Sequence, residues 1–279
     1  MTPHARGLLA LVIVTLLWGT TFPLGKIAYQ TLTPALLTFG RFVLSAVFMA
    51  YRWRGMTVRE LRYGGVLGLL QFACIAAVYQ GLLTIPANRS AFLVSTATIM
   101  VPIAGRILGH TVAPRVWGAA AFASVGIAMM TDPGVGLTAG DWWTLFSAAT
   151  FAVYIFVMDR AKSTPSAVRL TAVQTLIIAI CSMLWVIVDG DLTMAGVDRM
   201  VSVWPALLYL ALSAIFTTVL QGVGQRSVPA QEAAIVFTLE PVFATIFSFV
   251  AIHETLRPIA LAGAGLVLAA NVLAQWRRN

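Results

Sequence analysis

Apolar stretches of about 20 residues recur along almost the whole of this 279-residue chain, with only short breaks between them. Coiled as a helix, each such stretch is long enough to cross the hydrocarbon core of a bilayer, because every residue advances about 1.5 Å. Ten can be marked, near residues 7–28, 34–53, 63–84, 87–108, 114–131, 140–160, 166–189, 201–222, 230–252 and 257–276. Little chain remains outside them, so no separate soluble domain fits. The breaks hold residues that start or stop helices. Thr33-Pro34 and Ala113-Pro114 open runs, Asp132-Pro133-Gly134 closes one, and Thr164-Pro165 and Arg257-Pro258 lie between others. A transmembrane β-barrel would alternate apolar and polar residues over about ten positions, which these runs do not do. The expected fold is an all-α integral membrane protein of ten transmembrane helices.

Composition bears on what such a chain can bind. Charged residues make up 10% and hydrophobic residues 59%, against about a quarter charged in soluble domains. Soluble enzymes, nucleic-acid-binding modules and secreted disulfide scaffolds are therefore disfavoured. The net charge of +8 could mark an anionic polymer as partner, but its placement gives another explanation. If the N-terminus is inside, 13 of the 18 cations fall in cytoplasmic loops and tails, as expected because Lys and Arg resist translocation. Asp132, Asp141, Asp189, Asp191 and Asp198 then fall outside. Both termini are expected in the cytoplasm, and the partners are the lipid bilayer and a small-molecule substrate, with no nucleic acid. Trp53, Trp117, Trp142, Trp143, Trp185, Trp204 and Trp276 lie near run ends, where indoles favour the headgroup level. The first run lacks a small-residue cleavage site and is expected to be a retained helix. Cys74 and Cys181 fall at mid-membrane, so no disulfide and no metal site are expected. The oligomeric state is open, and a monomer would suffice.

The two halves resemble each other. Ala91-Phe92-Leu93-Val94-Ser95 reads like Ala234-Ile235-Val236-Phe237-Thr238, and His110-Thr111-Val112-Ala113-Pro114 reads like Glu254-Thr255-Leu256-Arg257-Pro258. Between them Pro102 and Pro241 slip by about one helical turn, and a weaker pairing sets Phe22 against Phe151 and Pro34 against Pro165. The expected units are residues 1–133 and 134–279, with five spans each. An odd number of spans makes the second unit enter the membrane from the opposite side, as in inverted-repeat transporters that bind substrate near the midplane.

At Leu17-Trp18-Gly19-Thr20-Thr21-Phe22 with Lys26, and Gly40-Arg41-Phe42 in the second run, the chain resembles the bacterial drug/metabolite transporter superfamily, specifically its EamA-type ten-helix members. The likeness continues at Tyr79-Gln80-Gly81-Leu82, Leu239-Glu240-Pro241-Val242 and His253-Glu254-Thr255-Leu256, over essentially the whole chain. The resemblance implies an inner-membrane carrier that exports amino acids or other small metabolites. Within the family it is most similar to the YddG group of aromatic amino acid and methionine exporters. One departure is His110, where the second half carries Glu254.

Several residues are candidates for the substrate site. Trp18 is the only mid-span tryptophan, and with Thr21 and Phe22 it could offer an aromatic wall and a hydroxyl; the structural alternative is packing against the notch at Gly19. Pro23 is expected to kink the first helix. Tyr79, Gln80, Tyr154 and Gln221 put polar tips on apolar helices, which serves either a pocket for an aromatic or thioether side chain or ordinary interhelical hydrogen bonds. Lys26 and Arg41 either snorkel to the interface or meet a substrate carboxylate. Glu240 is the only acid expected deep in the membrane, where an anion is costly. It is a candidate proton carrier or amine partner; alternatively it bonds backbone at the Pro241 break or pairs with an internal cation. Asn88 and Asn271 are expected only to cap or bridge helices. Gly134-Val135-Gly136 is not a phosphate loop, since no Gly-Lys-Ser/Thr follows it. No cofactor, metal or catalytic set is expected. The rival functions are export of drugs or cationic metabolites, with proton coupling as an option, and, far behind, an intramembrane enzyme.

Overall fold

The structure, a computed structural model, describes residues 1–107, 109, 111–130, 137–252 and 258–275. His110, the Asp132–Gly136 break, the His253–Arg257 stretch and Trp276 lie outside the described residues, as do the side chains of Asn88 and Asn271. No strand occurs among the described residues. The first half contains α1 (Pro3–Ala28), α2 (Pro34–Met49), a short 3-10 turn (Ala50–Arg52), α3 (Val58–Leu82), α4 (Ala87–Ser95), α5 (Ala97–Ile107) and α6 (Pro114–Met130). The second holds α7 (Ala139–Ala161), α8 (Ala167–Val188), α9 (Met194–Ser202), α10 (Trp204–Gly224), α11 (Ala230–Phe237), α12 (Leu239–Ile252) and α13 (Pro258–Gln275). Eight stretches of the described chain are long and apolar enough to cross a membrane.

The helix starts follow the local chemistry. Thr2, Thr33, Thr57, Ser166 and Thr193 each accept a backbone N–H of the first turn, and prolines stand in the first turns of α1, α2 and α10. Two expected spans are broken where the sequence reads as continuous. The fourth parts at Thr96 and the ninth at Thr238, and at both breaks the threonine hydroxyl donates to the carbonyl three residues back at 2.6 Å. Pro102 and Pro241 follow these breaks. A proline ring clashes with the carbonyl four residues earlier, and for Pro241 that residue is Phe237, the last of α11. The structure also adds α9, a short helix ahead of α10 where a loop was expected.

The surface is inverted relative to a soluble protein. Leu9, Val47, Leu69, Phe122, Phe146, Leu184 and Phe216 are exposed, while Thr15, Ser45, Ser147, Gln174, Thr217 and Gln221 are buried. Large apolar side chains can face outward in that number only when hydrocarbon surrounds them. Inside, α1 packs on α10 and α12, α7 on α3 and on the α4–α5 pair, α2 on α8, and α6 on α13. Exchanging α1 with α7, α2 with α8, α3 with α10, α4–α5 with α11–α12 and α6 with α13 maps this set onto itself.

Two glycine crossings obey the same exchange. Near one end, a Cβ on Gly7 of α1 would lie 2.9 Å from the Gly224 carbonyl oxygen of α10. Near the other, a Cβ on Gly140 of α7 would lie 2.8 Å from the Gly81 carbonyl oxygen of α3 and would also strike Thr84 Oγ1. Backbone cannot yield as a side chain tip can. Gly140→Val is therefore expected to destabilise the bundle by about 2 kcal/mol, the usual scale of overpacking. Thermal unfolding in detergent checks this, and an unchanged midpoint would show that the crossing opens freely.

Candidate functional site

Between the halves lies a cavity of about 90 Å³. From α1 it receives Trp18, Thr21 and Phe22; from α2, Arg41; from α3, Gln71, Cys74, Ile75, Val78 and Tyr79; from α4, Val94. Phe151 and Tyr154 of α7, Ala214 and Thr217 of α10, and Glu240 of α12 complete the wall.

Helical periodicity explains which residues of one element arrive together. Trp18, Thr21 and Phe22 stand three and four positions apart, on one face of α1. The Trp18 ring meets Phe151 edge-on with centroids 5.5 Å apart and Phe237 at 5.2 Å, while Phe151 stacks on Tyr154 at 6.0 Å. The Gly19 notch is filled by α12: a Cβ there would lie 2.7 Å from Phe243 Cβ and 2.9 Å from the Ala244 nitrogen. So Trp18 points toward the cavity aromatics while its neighbour lets α12 come close.

The polar groups divide sharply by how well they are satisfied. Thr21 Oγ1 donates to the Trp18 carbonyl at 2.7 Å, and the Tyr154 hydroxyl donates to Gln174 Oε1 at 3.0 Å. Arg41 is 6% exposed, so it does not snorkel. Its Nε donates to the Leu210 carbonyl at 3.1 Å and one terminal nitrogen donates to the Tyr79 hydroxyl at 2.9 Å. Glu240, also 6% exposed, makes no hydrogen bond or ion pair among the described residues, so neither structural alternative for it is met there. Gln71 Oε1 is buried without a partner, although its Nε2 reaches Thr218 at 3.5 Å.

Three candidates lie apart from the cavity. Lys26 donates to the Leu82 and Ile85 carbonyls at 2.8 and 3.0 Å, tying α1 to the end of α3. Gln80 lines an open apolar groove of about 550 Å³ with Trp143, Phe146 and Trp185. Gln221 is fully buried and donates to Gln225 Oε1 at 3.1 Å. Conversely, Gln71, Cys74, Phe151 and Thr217 line the wall without having been singled out as site residues. A signal existed for α3: positions 71, 74, 75, 78 and 79 follow helical spacing and share a face with Tyr79.

Ion pairs stand at both ends of the bundle. At the end holding the N-terminus, Glu232 at the start of α11 meets Arg115 at 3.1 Å and His4 at 3.6 Å, and Arg169 meets Glu60 at 3.0 Å. At the opposite end, Arg89 at the start of α4 grips Asp141 with two nitrogens at 2.7 and 3.0 Å. Thr138 donates its backbone N–H and its hydroxyl to the same carboxylate.

Three comparisons bear on this arrangement. The profile of the EamA-like transporter family matches twice, over residues 5–132 and 138–275. An uncharacterized transporter of Archaeoglobus fulgidus is 27% identical over 271 residues, which cover 96% of this chain and 85% of that protein. A protein crystal structure shares the fold, with a TM-score of 0.76 over 97% of this chain and 98% of that one at 17% identity.

Proposed function

This chain belongs to the EamA-like transporter family, and from that premise we propose that it moves small amphipathic metabolites, amino acids foremost, by alternating access around the cavity. It is a multi-pass membrane transporter rather than an enzyme. The observation that carries the cargo is the cavity wall, which the rings of Trp18, Phe151 and Tyr154 share with the ionisable groups of Arg41 and Glu240. Aromatic faces suit an aromatic or thioether side chain, and the charges suit the polar head of an amino acid.

Alternating access draws support from the paired ends. Each has a glycine crossing and an ion pair at the start of a broken helix, with the signs swapped: Arg89 stands on α4 and Glu232 on α11. A structure with such similar halves has two low-cost arrangements, one opening at each end. In this reading α6 and α13 bring the spans to ten, and the chain forms five-helix units of opposite direction at residues 1–133 and 134–279. The cation bias supports both termini in the cytoplasm, and the family resemblance supports export across a bacterial inner membrane.

Uptake and counterflow of labelled phenylalanine, methionine and threonine into liposomes, with and without a pH gradient, test the cargo. Saturable exchange of the apolar amino acids is expected. Absence of flux for all three would remove amino acids as cargo. A second reading, export of a lipophilic cation, is favoured by the unpaired Glu240 carboxylate beside aromatic rings. In that case a lipophilic cation, and not phenylalanine, would be carried and would respond to a proton gradient.

A further inference from the structure

Two ionisable groups of opposite kind face one cavity in this protein without meeting each other. Arg41 and Glu240 both line it, both are 6% exposed, and no ion pair joins them among the described residues. A buried charge needs a counter-charge, hydrogen bonds or water. Arg41 is served by two neutral acceptors, the Leu210 carbonyl and the Tyr79 hydroxyl, and its second terminal nitrogen makes no hydrogen bond among the described residues. Glu240 has no hydrogen-bonding partner at all there. The Gln71 carbonyl oxygen, on a residue that lines the same cavity, is a buried acceptor with no donor.

These groups are sorted along α3. Gln71 and Cys74 stand one turn apart on the cavity face, and Glu240 lines the same cavity. Tyr79, which holds Arg41, comes eight residues after Gln71, about two turns further along the same helix. One level of the cavity therefore offers the Gln71 acceptor in want of a donor, and another offers a guanidinium with donor capacity to spare.

We infer that the cavity is a bipolar seat, in which Glu240 and the Gln71 carbonyl take a ligand's ammonium while Arg41, braced by Tyr79, takes the same ligand's carboxylate. The inference rests on the transport reading above and adds to it the charge state of the cargo. When both groups are ionised their charges cancel, so a ligand with one cation and one anion satisfies both and leaves the buried site neutral. An amine alone leaves Arg41 without a counter-charge, and an acid alone leaves Glu240 so. Gln71 becomes a specificity-determining residue for the ammonium end.

The test uses one aromatic ring with three heads: phenylalanine, 2-phenylethylamine and 3-phenylpropionate. Binding to the purified full chain in detergent is followed by ligand-induced thermal stabilisation. Phenylalanine is expected to bind at least about tenfold more tightly than either half-ligand. Glu240→Gln should lower phenylalanine and amine affinity by about tenfold or more and spare the acid. Arg41→Gln should weaken phenylalanine and the acid and spare the amine. Gln71→Leu should weaken the two ammonium ligands by about fivefold. The ligand that each variant spares shows that the variant is folded. If a half-ligand binds as tightly as phenylalanine, or if any of these variants weakens all three ligands equally, the bipolar seat is overturned while the aromatic cargo stands. If no ligand of the three binds at millimolar concentration, the seat and the aromatic cargo fall together.

Discussion

Trp18→Ala is expected to lower the transport efficiency for an aromatic amino acid by about tenfold or more, chiefly through a raised KM. The Trp18 ring is the one that α1 offers to Phe151 of the cavity wall and to Phe237 packed against it. Each such ring contact contributes about 0.5–1.5 kcal/mol beyond its buried area, so loss of the ring and of a stacked substrate reaches that factor. Truncation also leaves a void, which lowers stability and could mimic a loss of function. Trp18→Phe separates the effects, since it keeps a ring at the same place and should recover most of the transport. Both variants need to be compared at equal reconstituted protein. Transport by Trp18→Ala at the rate of the unsubstituted protein would remove Trp18 from the substrate path.

Asp141→Ala is expected to destabilise the protein by roughly 3 kcal/mol or more, the scale for removing one partner of a buried ion pair. Asp141 has no exposed surface, and its carboxylate takes two bonds from Arg89 and two from Thr138. Without it, the Arg89 guanidinium loses the anion it grips and the first turn of α7 loses its cap. Arg89→Ala together with Asp141→Ala should cost less than the sum of the two single changes, because the second change removes the charge stranded by the first. Thermal unfolding of all four proteins in detergent measures the coupling. A coupling near zero would show that the pair holds nothing together. Loosening this end while the Glu232 cluster stays intact should also raise the labelling, by a membrane-impermeant thiol reagent, of a cysteine placed at Val78 on the cavity wall.

Short matches between the halves were legible, such as Ala91–Ser95 with Ala234–Thr238, and both stretches lie in helices that break alike. The site was legible in part. Trp18, Thr21, Phe22, Arg41, Tyr79, Tyr154 and Glu240 all line the cavity, since a polar or aromatic group at mid-span has few places to go other than inward. Lys26 and Gln80 have the same chemistry and the same helices but face elsewhere. A helix face rotates by about 100° per residue, so Tyr79 enters the cavity while Gln80, the next residue, lines the outer groove. Gln71 and Phe151 gave no sign of their own, because neither differs in type from many buried residues that have no ligand.

From sequence alone follow the membrane as solvent and the starts of several helices, since both rest on local periodicity and on where Pro and Thr fall. The tertiary structure decided what those helices bring together. The closeness of α1 to α12 at Gly19, the grip of Arg89 on Asp141 across 52 positions of chain, and the unpaired carboxylate of Glu240 in the cavity that Gln71 also lines depend on crossings between helices distant in sequence. No local pattern encodes a crossing, because it is set by how whole faces fit, and a charge becomes unpaired only once every neighbour has its place.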